Sequence, residues 1–144
     1  MSSIIRISAA QLPTVIQGRS FLEKQKVNLA QILIMLEQAG KRKSDLVLFG
    51  EYVNLHHRTW SSNKKEYVPD PIPGPFTDTI AAVAREFGLN VALPVFGTYK
   101  GVLSSYVVLL NRKGTIIGCY QKAHPTLPEQ EMGIKGGTDL PVYT

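Results

Sequence analysis

The sequence predicts a single α/β domain on a mixed β-sheet, and three observations carry that prediction. A segment at residues 4–11, β-branched at its start, and an unbroken apolar run at 46–49 flank a stretch of helical periodicity, the order of a parallel βαβ unit with right-handed crossover. A second helical stretch followed by another apolar strand begins a further repeat of that order. Two strand-like runs at residues 103–110 and 115–120 then enclose Asn111-Arg112-Lys113-Gly114, a tight-turn sequence that makes them an antiparallel hairpin.

The elements follow in order. The first strand carries Ile4, Ile5 and Ile7 and is stopped by Pro13. Over residues 19–40, Leu22, Leu29, Leu33 and Leu36 recur at helical spacing with Ile32 and Ala39, and Gly40 stands where a C-terminal stop belongs. Leu46-Val47-Leu48-Phe49 is an unbroken apolar run of the kind found in strands covered on both faces. The polar connection 52–75 holds His56, His57 and Trp60 near its start and four prolines near its end, and is either functional or loosely ordered. Thr77-Asp78-Thr79 offer caps for a second helix whose Ile80, Val83, Ala84 and Phe87 face one way, with Gly88 as its end. Residues 90–96 read as a buried strand closed by Gly97, its register locally broken at Pro94. Residues 122–140 read as irregular, and Val142-Tyr143 as the start of another strand. A chain stopping inside a strand leaves sheet edges and apolar faces uncovered, so a partner segment is expected.

Composition narrows the function classes. With 44% apolar residues in 144, the chain can bury a core. No apolar run is long enough to span a bilayer and the N-terminus lacks a signal-peptide pattern, so a soluble cytoplasmic protein without a membrane partner is expected. The single cysteine, Cys119, forms no intrachain disulfide, and no cysteine–histidine spacing supports a metal site. The net charge of +5 raises the question of a polyanion partner. Lys41, Arg42 and Lys43 cluster where a helix should end, however, and there they complement its dipole. The other cations are scattered, so no nucleic-acid partner is expected; one would require a continuous basic stripe.

Two residues stand where α/β sheets place ligand sites. Glu51 follows the apolar run 46–49 at its carboxyl end. A carboxylate desolvated there has a raised pKa suited to a general base; equally, a glutamate there has simply reached solvent. Lys122 follows the strand ending at Gln121, with His124, Glu129 and Glu131 close behind. A strand-end lysine either stabilises a developing oxyanion beside a carboxylate or is a solvated charge, the commoner case. Cys119 alternates away from Tyr120 and reads as a small core residue rather than a nucleophile.

The landmarks taken together carry a resemblance. Ala9-Ala10-Gln11, Asn28, Asp45 to Glu51, Pro73-Gly74-Pro75, Gly114, Tyr120-Gln121-Lys122-Ala123-His124 and Glu129 resemble, in order and spacing, the nitrilase superfamily. The resemblance spans essentially the whole chain. It implies half of a four-layer αββα sandwich and a Glu-Lys-Cys triad acting on nitriles or amides without a cofactor. Glu51 matches the family's general base, Lys122 its oxyanion-stabilising lysine, and Glu129 a second glutamate that positions substrate or the lysine. The implied chemistry is thiolate attack on the nitrile or amide carbon, loss of ammonia or amine, and hydrolysis of the thioester by water that Glu51 activates. His124 is expected to orient the Lys122 loop through a hydrogen bond, and His56-His57 to be a solvated pair or to shape the substrate pocket.

Departures accompany the match. Gly50 replaces the usual proline before the glutamate, and Leu103-Ser104-Ser105 stands where Tyr-Asn-Ser/Thr is common. The family's nucleophile lies downstream of Thr144. The chain is therefore expected to be one incomplete hydrolase domain, residues 1–144, inactive alone and associating with its missing half or with a second copy. The rival from another class is a non-catalytic interaction module whose exposed apolar faces bind a partner chain.

Overall fold

The computed structural model describes residues 4–13, 20–55 and 68–143. Among the described residues the elements are, in chain order, β1 (Ile7–Ala10), α1 (Phe21–Lys41), β2 (Leu46–Phe49), β3 (Asp70–Ile72), α2 (Pro75–Phe87), β4 (Asn90–Tyr99), β5 (Val102–Leu110), β6 (Ile116–Gln121) and α3 (Leu127–Glu131). The sheet order is β1-β2-β4-β5-β6, with β3 also paired to β4. Strands β1, β2 and β3 run parallel to β4, and β5 is antiparallel to both β4 and β6. Five strands therefore point one way, and β2 and β6 deliver their carboxyl ends to the same edge of the sheet.

Local chemistry sets the helix boundaries. Ser20 and Glu23 form a capping box, with Ser20 N donating to Glu23 Oε2 at 2.9 Å and Glu23 N to Ser20 Oγ at 3.4 Å, so α1 starts at Phe21. It does not stop at Gly40 as expected. The helix continues to Lys41, and a Cβ at Gly40 would overlap the Phe87 ring, so this glycine admits close packing of α2 against α1. Helix α2 begins at Pro75, two residues before the expected caps. Proline suits the first helical position, and Thr77 sits inside the first turn, where it accepts from Gly74 N at 2.9 Å. Gly88 ends α2 in the left-handed region at φ 64°, as expected.

One face of the sheet carries the core. Val47 and Phe49 of β2, Val91, Leu93 and Val95 of β4, and Tyr106, Val108 and Leu110 of β5 pack against Ile32 and Leu36 of α1 and Ile80 and Ala84 of α2. The expectation that β2 is covered on both faces is corrected: Leu48, on the other face, is 38% exposed. That face is covered at its carboxyl edge, where Tyr52, Leu55, Phe96 and Ile134 form a second small cluster.

Two further expectations change. Strand β4 runs through Pro94 and Gly97 to Tyr99 in unbroken register with β5. Pro94 is tolerated because β2 pairs with β4 only as far as Ala92 and β3 only from Gly97, so among the described residues no strand lies beside it on that side. Residues 140–143 form no strand. Instead Tyr143 lies against Gly118, where a Cβ would overlap its ring. Among the described residues no helix is long and apolar enough to cross a membrane.

Candidate functional site

Glu51 and Lys122 follow β2 and β6, which are separated by β4 and β5. Three inter-strand spacings amount to roughly 14 Å, too far for the two side chains to meet across a flat edge. The turn after β2 closes that gap. Residues 51–55 cross over β4, where Val53 N donates to Pro94 O at 3.1 Å and the Asn54 amide pairs with the Phe96 backbone. Asn28 of α1 holds the far side of the turn by donating to Leu55 O at 3.2 Å. Tyr52 bends the chain through the left-handed region at φ 55°, an unfavourable conformation for a tyrosine. Its ring is buried beneath the site.

Lys122 lies between two carboxylates. Its Nζ donates to Glu51 Oε1 and to Glu129 Oε1, each at 2.8 Å. The two glutamates differ in surroundings: the Glu51 side chain is 49% exposed and that of Glu129 only 4%. Of the two readings of Glu51, a desolvated carboxylate or one that has reached solvent, the second describes its surroundings, because the sheet face it overlooks is open. Glu129 is the enclosed carboxylate. It is the third residue of α3, its Oε2 accepts from Thr126 N in a capping box, and its Oε1 also accepts from the Tyr52 hydroxyl.

These contacts set the charges. Burial alone would raise the Glu129 carboxyl, but hydrogen bonds from Lys122, Tyr52 and Thr126 outweigh it and hold the group at about 2. Burial works against the Lys122 ammonium, yet the hydrogen bonds and charges of Glu129 and Glu51 raise its pKa overall. Burial, reinforced by Glu129, pushes the Tyr52 hydroxyl far up, so it stays a donor. Beside the charges lies a depression of about 250 Å³ lined by Glu51, Pro94, Ser105, Val107, Tyr120 and Lys122. Pro94, Val107 and Tyr120 are register partners across β4, β5 and β6 and form its apolar floor.

The remaining sequence-marked residues fall as follows. Cys119 faces the helix side with Val108, half-buried, with its thiol pushed by burial up to about 11. It is on the opposite face from Tyr120 and the Glu51–Lys122 pair. His124 is exposed and, among the described residues, makes no side-chain hydrogen bond. The Lys122 loop is instead pinned through its backbone, Lys122 N donating to Ser105 O and Gly137 N to Lys122 O, both at 2.9 Å. His56, His57 and Trp60 lie outside the described residues. Tyr52 and Asn54 were not marked by the sequence reading. Thr126-Leu127-Pro128-Glu129 carried a signal that could have been read, since threonine, proline in the first turn and glutamate at the third position announce a helix start.

Comparison with known proteins agrees with this architecture. The carbon–nitrogen hydrolase family matches residues 6–144, and the chain belongs to that family, within the nitrilase superfamily. It is 36% identical over 124 residues to Nitrilase 2 of an unknown prokaryotic organism, an alignment covering 76% of this chain and 40% of that protein. A carbon–nitrogen hydrolase of Helicobacter pylori G27 superposes with a TM-score of 0.71 at 24% identity, over 92% of this chain and 45% of that one. An amidase of Nesterenkonia sp. superposes at 0.66 and 20% identity, over 96% and 50%. One mutant of the amidase from Nesterenkonia sp. AN1 carries the acetamide moiety of fluoroacetamide covalently at its active-site cysteine, and another is in complex with butyramide. The chain thus spans about half the length of the relatives it matches, and its paired helix and sheet layers are one half of an αββα sandwich.

Proposed function

We propose that residues 1–144 form one incomplete domain of a cytoplasmic enzyme that hydrolyses non-peptide C–N bonds of nitriles or amides by a Glu-Lys-Cys mechanism. The observation that carries the reading is the Lys122 ammonium held 2.8 Å from both Glu51 and Glu129 at the edge of an apolar-floored depression. In this reading Glu51, the half-exposed carboxylate, is the general base. Lys122 donates to the heteroatom that gains charge when the substrate carbon is attacked, and Glu129 holds Lys122 in place. With an amide, the thiol passes its proton to Glu51 and forms the C–S bond, and Glu51 returns that proton to nitrogen as the C–N bond breaks and ammonia or amine leaves. A nitrile gives a thioimidate, which takes up one water to lose ammonia and reach the same thioester; a water that gives its proton to Glu51 then releases the acid and the thiol.

The thiol is not Cys119, which faces the helix side of the sheet. It is supplied by a further segment or chain closing over the open face, so residues 1–144 alone are inactive. The amidase likeness supports a small amide or nitrile as substrate. The test is ammonia release from short aliphatic nitriles and primary amides, by residues 1–144 alone and by the longer protein that contains them. Turnover is expected from the longer protein only, and Glu51→Gln or Lys122→Ala should each lower it about a thousandfold. Full activity in either variant overturns the reading.

The open face also favours a second reading, a non-catalytic module that binds a partner chain. Leu48 is 38% exposed there and Val107 and Leu109 are only partly covered. Association with a partner while turnover is absent from every longer form would select this reading.

A further inference from the structure

Two carboxylates share one ammonium at this site, and they are not equivalent. Glu129 Oε1 receives Lys122 Nζ and the Tyr52 hydroxyl, while Glu129 Oε2 receives Thr126 N. Glu51 Oε1 receives Lys122 Nζ and its side chain is half open to solvent. We propose that Tyr52 is a positioning residue: its hydroxyl locks Glu129 as an ionised acceptor turned onto Lys122, leaving Glu51 as the carboxylate that exchanges a proton. This deepens the hydrolase reading and rests on it for its catalytic meaning.

The geometry singles out Tyr52 for this work. The ring is 5% exposed, packs edge-on to Phe96 with centroids 6.4 Å apart, and lies with its centroid 5.8 Å from Lys122 Nζ. Its backbone is held at φ 55°, where a bulky side chain is disfavoured, and that turn directs the hydroxyl to Glu129. Once Glu129 had taken the Lys122 proton, the tyrosine hydroxyl would donate to a neutral carboxyl instead of a carboxylate, exchanging a charge-assisted hydrogen bond for a weaker one. The tyrosine therefore opposes proton transfer from Lys122 to Glu129. Because burial keeps its hydroxyl protonated, it acts across the whole neutral range. Phenylalanine at this position would fill the same space without the donor.

The experiment is a carbon-13 NMR titration of the glutamate carboxyls and lysine ε-carbons in the 144-residue chain. Wild type is compared with Tyr52→Phe and with fluorotyrosines at position 52, which keep ring and hydroxyl while acidifying the donor. Tyr52→Phe should raise the Glu129 midpoint by about one pH unit and lower that of Lys122. The fluorotyrosines should shift Glu129 progressively and keep the proposal testable if Tyr52→Phe does not fold. Midpoints of Glu129 and Lys122 unmoved by Tyr52→Phe, or by the fluorotyrosine series, overturn it. If the titrations shift as expected while the longer protein releases no ammonia, the role of Tyr52 stands and the hydrolase reading falls.

Discussion

Asn54 substitutes for a missing piece of strand beside Phe96. Its side-chain amide donates to Phe96 O at 2.8 Å and accepts from Phe96 N at 2.9 Å, as a paired residue would. It fills the interval in which β2 has ended and β3 has not begun, and it also donates to Asp70 Oδ2 at 2.6 Å. The sheet is thereby kept satisfied while the chain leaves it to carry Glu51 towards Lys122. Asn54 is fully buried, so Asn54→Ala removes both of its hydrogen bonds to the Phe96 backbone and should destabilise the fold by roughly 3 kcal/mol in urea denaturation. A loss under about 0.5 kcal/mol, the range of a surface substitution, would show that the amide is dispensable.

Removal of either partner of Lys122 should have unequal effects on stability. Glu51 is half exposed, and a pair of that kind contributes about 0–1 kcal/mol, so Glu51→Gln should leave the denaturation midpoint nearly unchanged. Lys122→Ala strands the buried Glu129 carboxylate. The loss should be roughly 2–3 kcal/mol at neutral pH, below the figure for a fully buried pair because the lysine is a quarter exposed. Equal effects of the two variants would contradict the asymmetry of the site.

Acid should weaken the fold through Glu129. Its carboxyl is held at about 2, against 4.5 in the unfolded chain. For a depressed acid the stabilisation is fully present above 4.5 and is lost as pH falls towards 2, to a total of about 3 kcal/mol. Lys122 has the opposite sign. Its raised pKa gives stability present below 10.5 and lost at higher pH. Denaturation midpoints measured from pH 2 to pH 6 should fall steeply on the acid side, and Glu129→Gln should flatten that slope. An unchanged slope in Glu129→Gln would assign the acid sensitivity to other carboxylates.

The sequence reading succeeded where the signal was periodic and local. The βαβ order, the α1 stripe from Leu29 to Ala39 and the hairpin around Asn111 all rest on neighbours a few residues apart, and each is found. It placed Glu51 and Lys122 at one sheet edge, and the structure joins them. It missed β3 because Pro71 lies inside that strand, and proline is ordinarily evidence against one. Gly40 was read as a stop because its role depends on Phe87, forty-seven positions away. Burial of Glu129 rather than Glu51 could not be inferred, since it depends on Tyr52, seventy-seven positions away, whose hydroxyl meets one carboxylate and not the other.

Gly40→Ala tests that long-range role. On an isolated helix, alanine for glycine stabilises by about 1 kcal/mol. Here the new Cβ would overlap Phe87 from its Cβ outward along the ring, so α1 and α2 must separate, and overpacking of this kind costs about 1–3 kcal/mol. Net destabilisation is expected, relieved when Phe87 is trimmed to leucine in the same chain. A simple gain in stability from Gly40→Ala would return the glycine to the role of an ordinary helix residue.

Cys119 offers a separate check on which face carries the chemistry. Its thiol is held at about 11 by burial, two units above the ordinary 9.0, so its thiolate fraction near pH 8 is about a hundredfold below that of an exposed cysteine. Iodoacetamide should label it correspondingly slowly in the folded chain and rapidly in urea. In the longer protein Cys119→Ala should leave ammonia release unchanged, because the thiol lies across the sheet from Lys122 and makes no part of the depression beside Glu51. Rapid labelling of Cys119 in the native state, together with loss of turnover in Cys119→Ala, would move the nucleophile to the helix side and undo the assignment of the open face as the reacting one.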